Sequence, residues 1–89
     1  MSNEVLITEQ MINCAEKNYN SVSALFRASG FVNVKAVPLG DLNLFTAKKN
    51  NSVKEITING DSDFEDGDVF PKTANVIIIY HSFRQEVKK

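Results

Sequence analysis

The sequence has 89 residues, of which 43% are hydrophobic and 24% charged, a composition typical of one small globular domain. Ten basic and eleven acidic residues give a net charge of −1, so the chain lacks the clustered basic excess that binds nucleic acid or an anionic membrane. Residues 1–10 contain no charged n-region and no long apolar run, so we predict neither a signal peptide nor direct membrane insertion within the chain.

The N-terminal segment allows two interpretations. Met11, Ile12 and Ala15 continue the helical phase of Tyr19 and Val22, which predicts one helix from about residue 9 to residue 29 with Thr8 as its cap. The alternative is a short strand at residues 4–7, followed by an irregular link to Asn18. Periodicity favours the long helix, while the strand and link remain open.

The clearest element is a helix over residues 19–29. Asn18 precedes it and suits the N-cap, because its side chain can accept hydrogen bonds from the free N–H groups of the first turn. One face is apolar at helical spacing and consists of Tyr19, Val22, Leu25 and Phe26. Gly30 suits the left-handed conformation that ends a helix, and Phe31 beyond it is placed to pack back on Phe26.

Three strands follow, at residues 31–39, 52–60 and 74–83. The first has Val32, Val34 and Ala36 on one side, and the second has Ile56 and Ile58 inward with Thr57 outward. Pro38 lacks an N–H group and therefore suits a sheet edge or a strand end. The tail at residues 84–89 is predicted to be frayed. The predicted class is α+β, with one main helix on a three-stranded, largely antiparallel sheet and an extra N-terminal strand or helix extension.

The run VIIIY at residues 76–80 is apolar at every position. Such a run is typical of a strand that is covered on both faces, usually in the middle of a sheet. The main helix can cover only one face, so Ile77 and Ile79 need another cover. The candidates are the segment at residues 5–15, the loop at residues 42–45, or a partner molecule.

An acidic segment at residues 59–71 carries five carboxylates: Asp61, Asp63, Glu65, Asp66 and Asp68. Counted from Asp61, an EF-hand calcium loop needs glycine at its sixth position and glutamate at its twelfth, where this chain has Asp66 and Lys72. We therefore predict a solvated turn built on Asn59–Gly60 and Asp66–Gly67, with Phe64 and Phe70 pointing inward. Calcium binding by the segment is kept as a third hypothesis.

The sequence contains no recognisable catalytic or metal-binding motif. Cys14 is the single cysteine, which excludes an internal disulfide and a cysteine-based zinc site. His81 is the single histidine, and Ser82 beside it points to the opposite face of a strand. We predict no catalytic residue, no metal and no cofactor.

Two stretches carry a resemblance to a known family. Residues 19–34 follow the pattern Y-x-x-V-x-x-x-F-x-x-x-G-F-V-N-V, and residues 53–83 read VKEITINGDSDFEDGDVFPKTANVIIIYHSF. Together they resemble a small domain of Gram-positive bacteria that is similar to the PASTA domains of penicillin-binding proteins and serine/threonine kinases. The resemblance covers about residues 18–83. It implies a helix on a three-stranded sheet, no enzyme activity, and an extracytoplasmic place in a larger surface protein. Cell-wall fragments are ligands of some PASTA domains, but no binding residue is carried over.

The expected function is therefore a non-catalytic binding module whose partner is a protein or a cell-wall fragment. The candidate interaction surface consists of Ile77, Ile79 and His81, on the strand that needs a second cover. The alternative is a small cytoplasmic adaptor or structural protein that forms a homodimer through the same sheet face.

Overall fold

The computed structural model describes residues 3–40 and 50–82. Its elements, in chain order, are β1 (Glu4–Leu6), α1 (Glu9–Ile12), α2 (Tyr19–Ala28), β2 (Asn33–Pro38), β3 (Val53–Ile58), β4 (Val69–Pro71) and β5 (Asn75–Tyr80). β5 lies at the centre of a three-stranded sheet, parallel to β2 and antiparallel to β3, while β1 and β4 form a separate antiparallel ribbon. The predicted α+β class is confirmed, and the sheet itself is mixed because β2 and β5 run parallel.

The N-terminal segment is not one long helix, so the prediction of a helix over residues 9–29 is wrong. Glu16 has a φ of 67°, in the left-handed region, which a right-handed helix cannot contain. The backbone there pairs with the start of β3. The Glu16 N–H donates to the Val53 carbonyl at 2.9 Å, and the Val53 N–H donates to the Lys17 carbonyl at 2.8 Å. The alternative of a strand and a link describes this segment, with the short α1 added to it.

Both ends of α2 follow from local sequence signals. Asn18 caps the helix through its Oδ1, which accepts from the Asn20 N–H at 2.8 Å. At the other end Gly30 has a φ of 124°, and the Phe31 N–H donates to the Phe26 carbonyl at 3.3 Å. The Phe26 and Phe31 rings stack with centroids 5.9 Å apart, which completes a Schellman-type stop. The predicted helix ends are confirmed.

A single core lies between α2, the sheet and the N-terminal segment. Val22 and Phe26 of α2 face Val76 and Ile78 of β5, and all four side chains are buried. The core consists of Val5, Ile7, Met11, Cys14, Val22, Phe26, Phe31, Val34, Val53, Ile56, Ile58, Ala74, Val76 and Ile78. It therefore includes residues upstream of residue 18. Of the three residues predicted to continue the apolar face of α2, Met11 is buried, whereas Ile12 and Ala15 are exposed.

A bulge in β3 changes which residues face the core. The register with β5 shifts between Val53 and Glu55. Val53 and Ile56 are consequently both buried although they lie three positions apart. Ile58 is also buried and Thr57 is half-buried on the opposite face, as the alternation predicts.

Val32 does not share the buried side of β2, which corrects the first predicted strand. Its side chain is 62% exposed, whereas Val34 is buried and Ala36 half-buried. The reason is that Val32 lies before β2, where its N–H donates to the Lys72 carbonyl at 3.0 Å instead of joining the regular ladder. The loop at residues 42–45 and the tail at residues 84–89 lie outside the described residues.

Candidate functional site

The sheet has a second face, opposite α2, which we call the outer face. It consists of Lys35, Val37, Glu55, Thr57, Ile77 and Ile79. Val76 and Ile78 point towards α2, so alternation directs Ile77 and Ile79 away from it. The register places Ile77 between Lys35 and Thr57, and places Ile79 between Val37 and Glu55.

The outer face is apolar at its centre and charged at two corners. Val37, Ile77 and Ile79 are half-buried, while Lys35 and Glu55 are exposed. Lys35 lies on one edge strand and Glu55 on the other, one row apart. The face therefore presents a short aliphatic strip with a cation and an anion at diagonal positions.

Within residues 3–40 and 50–82, no helix or strand packs on the outer face. α2 contacts β2 and β5 from the core side, α1 contacts α2, and β1 pairs with β4. The segment at residues 5–15 was one predicted cover, but its buried side chains (Val5, Ile7, Met11 and Cys14) belong to the same core cluster as Val76 and Ile78. Of the other predicted covers, the loop at residues 42–45 lies outside the described residues and a partner molecule stays a proposal.

His81 lies directly beyond β5 and extends its pairing with the β3 side. Its N–H donates to the Ser52 carbonyl at 2.8 Å, and its carbonyl accepts from the Asn51 N–H at 2.7 Å. The side chain is half-buried. Alternation along the strand places it on the same face as Ile77 and Ile79, so the structure brings the three predicted surface residues into one line.

A cavity of about 470 Å³ opens where β2 and β5 begin. Its lining includes Ile77, two asparagines (Asn33 and Asn75) and Lys35. The cavity adjoins the outer face at the row that Lys35 and Ile77 share. Sequence reasoning missed Lys35 and Val37, although alternation within β2 places both opposite the buried Val34.

The two tyrosines of the chain stack on each other at the end of the core. The rings of Tyr19 and Tyr80 are 3.8 Å apart and nearly parallel, at 7°. Both are half-buried. Burial raises the pKa of Tyr80, and the neighbouring Tyr19 raises it further. The pair fixes the start of α2 to the end of β5, which is a structural role.

The acidic segment is a pair of solvated turns. Asn59 and Gly60 have φ values of 54° and 85°, and the Ile58 and Asp61 backbones exchange two hydrogen bonds of 3.0 Å across them. All five carboxylate residues are exposed. Phe64 and Phe70 meet edge to face at 6.4 Å and pack against the core. The prediction of a solvated turn with two inward phenylalanines is confirmed.

The carboxylates of this segment bond to nearby backbone. Asp61 Oδ1 accepts from the Asp63 N–H at 2.8 Å, and Asp68 Oδ2 accepts from the Glu65 N–H at 2.7 Å. Among the residues that the structure describes, no three His, Cys, Asp or Glu side chains gather as metal ligands would. Local turn formation therefore accounts for the positions of Asp61 and Asp68.

Cys14 is a buried thiol in the core. Its side chain is 2% exposed, and its Sγ donates to the Gln10 carbonyl at 3.1 Å. Burial raises the pKa of the Cys14 thiol, and the positive charge of Lys17 opposes this in part. Because the thiolate is the reactive form, the folded domain keeps Cys14 protonated and unreactive at neutral pH.

We expect iodoacetamide to alkylate Cys14 at pH 8 on the order of 10³-fold more slowly in the native protein than in urea, because reaction requires opening of the core. Mass spectrometry of quenched samples measures both rates.

The raised pKa of Cys14 also makes the free energy of unfolding depend on pH. The stability that burial of the neutral thiol gives wild type over Cys14→Ala is complete below about pH 8.5 and shrinks as the pH rises above it. Equal alkylation rates in the two states would contradict the burial of Cys14.

No protein-family model matches the chain, and neither a curated protein nor a solved structure is similar enough to it to count as a match. None of the helices in the described parts of the chain has the length and apolar character that a membrane crossing requires.

Proposed function

We propose that this domain is a non-catalytic, PASTA-like binding module of a larger cell-surface protein, and that it binds its ligand through the outer face. One observation carries the proposal. A strip of half-buried aliphatic side chains, formed by Val37, Ile77 and Ile79, lies on the sheet face opposite α2, and no described helix or strand packs on it. Apolar strips of this kind mark interaction surfaces when polar residues surround them.

The residues around the strip favour a ligand with both aliphatic and anionic groups. Ile77 and the methylene chain of Lys35 offer apolar contact, and the ammonium group of Lys35 offers a partner for a carboxylate. Asn33 and Asn75 add amide donors and acceptors at the cavity of about 470 Å³. A cell-wall fragment that bears a short peptide combines these groups, so we take it as the first ligand class to test.

The experiment is a titration of isotope-labelled protein with muropeptides, followed by amide chemical shifts. We expect shifts at Lys35, Ile77 and Ile79, and we expect Ile77→Lys to lose at least about tenfold in affinity because it removes a central apolar contact. Val69→Lys, an exposed aliphatic residue on β4, is the matched control and should bind as wild type does. Absence of any shift at millimolar muropeptide would exclude the cell-wall ligand.

A second candidate function is self-association of a small cytoplasmic adaptor or structural protein through the outer face. The placement of Lys35 and Glu55 on opposite edges favours it, because a two-fold axis along β5 brings each charge to the edge of the facing copy that carries its opposite, one row away. Sedimentation at several concentrations tests it. Ile77→Lys should dissociate such a dimer and leave α2 intact, and a strictly monomeric wild-type protein would argue against it.

A further inference from the structure

β2 is an edge strand whose outer side has no paired neighbour among the described residues. Its inner side pairs with β5, and the hydrogen bond from the Leu39 N–H to the Tyr80 carbonyl at 3.0 Å fixes the alternation. Because Leu39 directs its N–H towards β5, alternation implies that the odd-numbered residues of β2 direct their N–H and carbonyl groups towards β5, and the even-numbered residues direct theirs outward. The carbonyl of Val34 fits this pattern, because it accepts from the Arg27 guanidinium at 3.1 Å on the other side.

The outer edge of β2 therefore presents a short series of backbone groups. These are the N–H of Val34, the N–H and carbonyl of Ala36, and the carbonyl of Pro38. Two backbone groups of a regular edge are unavailable for pairing here. Pro38 has no N–H to offer, and the carbonyl of Val34 is already occupied by Arg27.

This pattern is complementary to itself. When a second β2 lies antiparallel about a two-fold axis through Ala36, that residue exchanges two hydrogen bonds with the partner's Ala36. Val34 then lies opposite the partner's Pro38, and its N–H donates to that carbonyl. The reverse bond, from a proline N–H to the Val34 carbonyl, is neither possible nor needed. The position where Pro38 of one copy lacks an N–H therefore faces the Val34 carbonyl of the other copy, which already accepts from Arg27.

The core side of the edge has room for a second copy. A cavity of about 380 Å³ lies between α2 and β2, lined by Tyr19, Asn20, Ser23, Ala24, Arg27 and Ala36. Paired strands lie about 4.8 Å apart. Because α2 packs over β2 and β5, the same pairing places the two copies of α2 side by side. Ser23 and Ala24 are small enough to permit this approach.

The guanidinium of Arg27 also gains a partner in this arrangement. Its hydrogen bond to Val34 uses one of its N–H groups. Antiparallel packing of the two copies of α2 about Ser23 and Ala24 brings Arg27 towards the partner's Asn20, whose amide oxygen can accept. Arg27 would then join the strand edge of its own copy to the helix of the other.

We propose that a second copy of this chain pairs antiparallel with the outer edge of β2, which joins the two three-stranded sheets into one continuous sheet. An unrelated extended peptide fits less well, because it would direct an N–H towards the Val34 carbonyl that Arg27 already occupies. The proposal goes beyond the proposed function. Since the two-fold axis is perpendicular to the sheet, both outer faces lie on the same side and the dimer is bivalent.

Cysteine cross-linking tests the register. Hydrogen-bonded antiparallel pairs have Cα atoms about 5.5 Å apart, within the range of a disulfide. Ala36→Cys should therefore form a covalent dimer under mild oxidation. Lys35→Cys is the matched control on the same strand, because the two-fold axis offsets the two copies of position 35 to about 8 Å and disfavours the bond. Wild type, whose only thiol is the buried Cys14, should form none.

Sedimentation velocity tests the association itself. Wild type should dimerise with rising concentration, and Ala24→Arg, which places bulk and like charge at the two-fold axis, should weaken the dimer at least about tenfold. Ala36→Pro removes the central donor without affecting the ladder to β5 and should do the same. Ile77→Lys should leave this dimer unchanged, which separates the result from ligand binding or association by the outer face.

The proposal is overturned by a monomeric wild type at millimolar concentration. It is equally overturned by a dimer that resists both Ala24→Arg and Ala36→Pro, or by cross-linking of Ala36→Cys no greater than that of Lys35→Cys. Should Ile77→Lys alone dissociate the dimer, association through the outer face replaces it. A muropeptide titration of Ala24→Arg measures ligand binding without the dimer. Loss of the dimer and loss of ligand binding are therefore distinguishable.

Discussion

Ile78→Lys is expected to leave the domain unfolded at neutral pH, whereas Ile77→Lys keeps the fold. The two residues are neighbours on β5, but Ile78 is fully buried against α2 and Ile77 is half-buried on the outer face. A lysine forced into the core has its pKa lowered by about 3–5 units and is largely neutral at pH 7, and keeping it neutral there costs about 4–5 kcal/mol, in addition to the lost packing of the isoleucine. That cost approaches the whole stability of a domain of this size, about 5–15 kcal/mol.

Far-UV circular dichroism and urea denaturation at pH 7 measure this difference. Ile77→Lys serves as the matched control, because it makes the same chemical change one position away. The lysine at position 77 can extend its ammonium group to water from the outer face, so we expect a loss of about 1–2 kcal/mol at most. Equal urea midpoints for the two variants would contradict the assignment of the two faces of β5.

Phe26→Ala is expected to lower the free energy of unfolding by about 3–5 kcal/mol. Phe26 is fully buried in α2 and stacks on Phe31, so its removal leaves a cavity between the helix and the sheet. It also removes the ring contact that closes the stop after α2. Both effects destabilise the folded state and leave the unfolded state unchanged, so both lower the free energy of unfolding.

Urea denaturation followed by circular dichroism gives the free energy directly. Leu6→Ala is the comparison variant, since it also shortens a large apolar side chain but at a position that is 58% exposed. We expect it to lose less than about 1 kcal/mol. A loss below about 1 kcal/mol for Phe26→Ala would show that this ring is not the centre of the core.

The parts of the fold that local chemistry determines were predictable from the sequence. Asn18 at the start of α2, and Gly30 with Phe31 at its end, act within a few residues of themselves, so the pattern alone identifies them. The same holds for the turn at Asn59–Gly60, where both residues adopt positive φ. The apolar run of β5 predicted a central strand, and β5 is central.

The parts that depend on distant pairing were not predictable. Met11 is buried, as its place in the apolar pattern predicts, but the backbone at Glu16 and Lys17 pairs with Val53, which interrupts the helix. Val53 lies 37 positions after Glu16, and no local pattern near Glu16 signals a pairing at that distance. The parallel direction of β2 and β5 is likewise a property of the chain path. For the same reason β4 escaped prediction within the acidic segment.

The candidate site divides in the same way. Ile77, Ile79 and His81 could be named in advance, because alternation along one strand places them together. Lys35 and Val37 could not be joined to them, because that step needs the register between β2 and β5. The occupation of the Val34 carbonyl by Arg27 is a contact across seven positions that no periodicity encodes.

The strand order β2-β5-β3 has a consequence for how the protein is made. β2 and β3 do not touch each other, and each depends on β5, the last strand of the sheet to leave the ribosome. Until residues 75–80 have left the ribosome, the nascent polypeptide can form α2 but has no template on which its two earlier strands could assemble. The sheet must therefore form in one late step, and a chain terminated prematurely before Asn75 would expose its apolar segments to degradation.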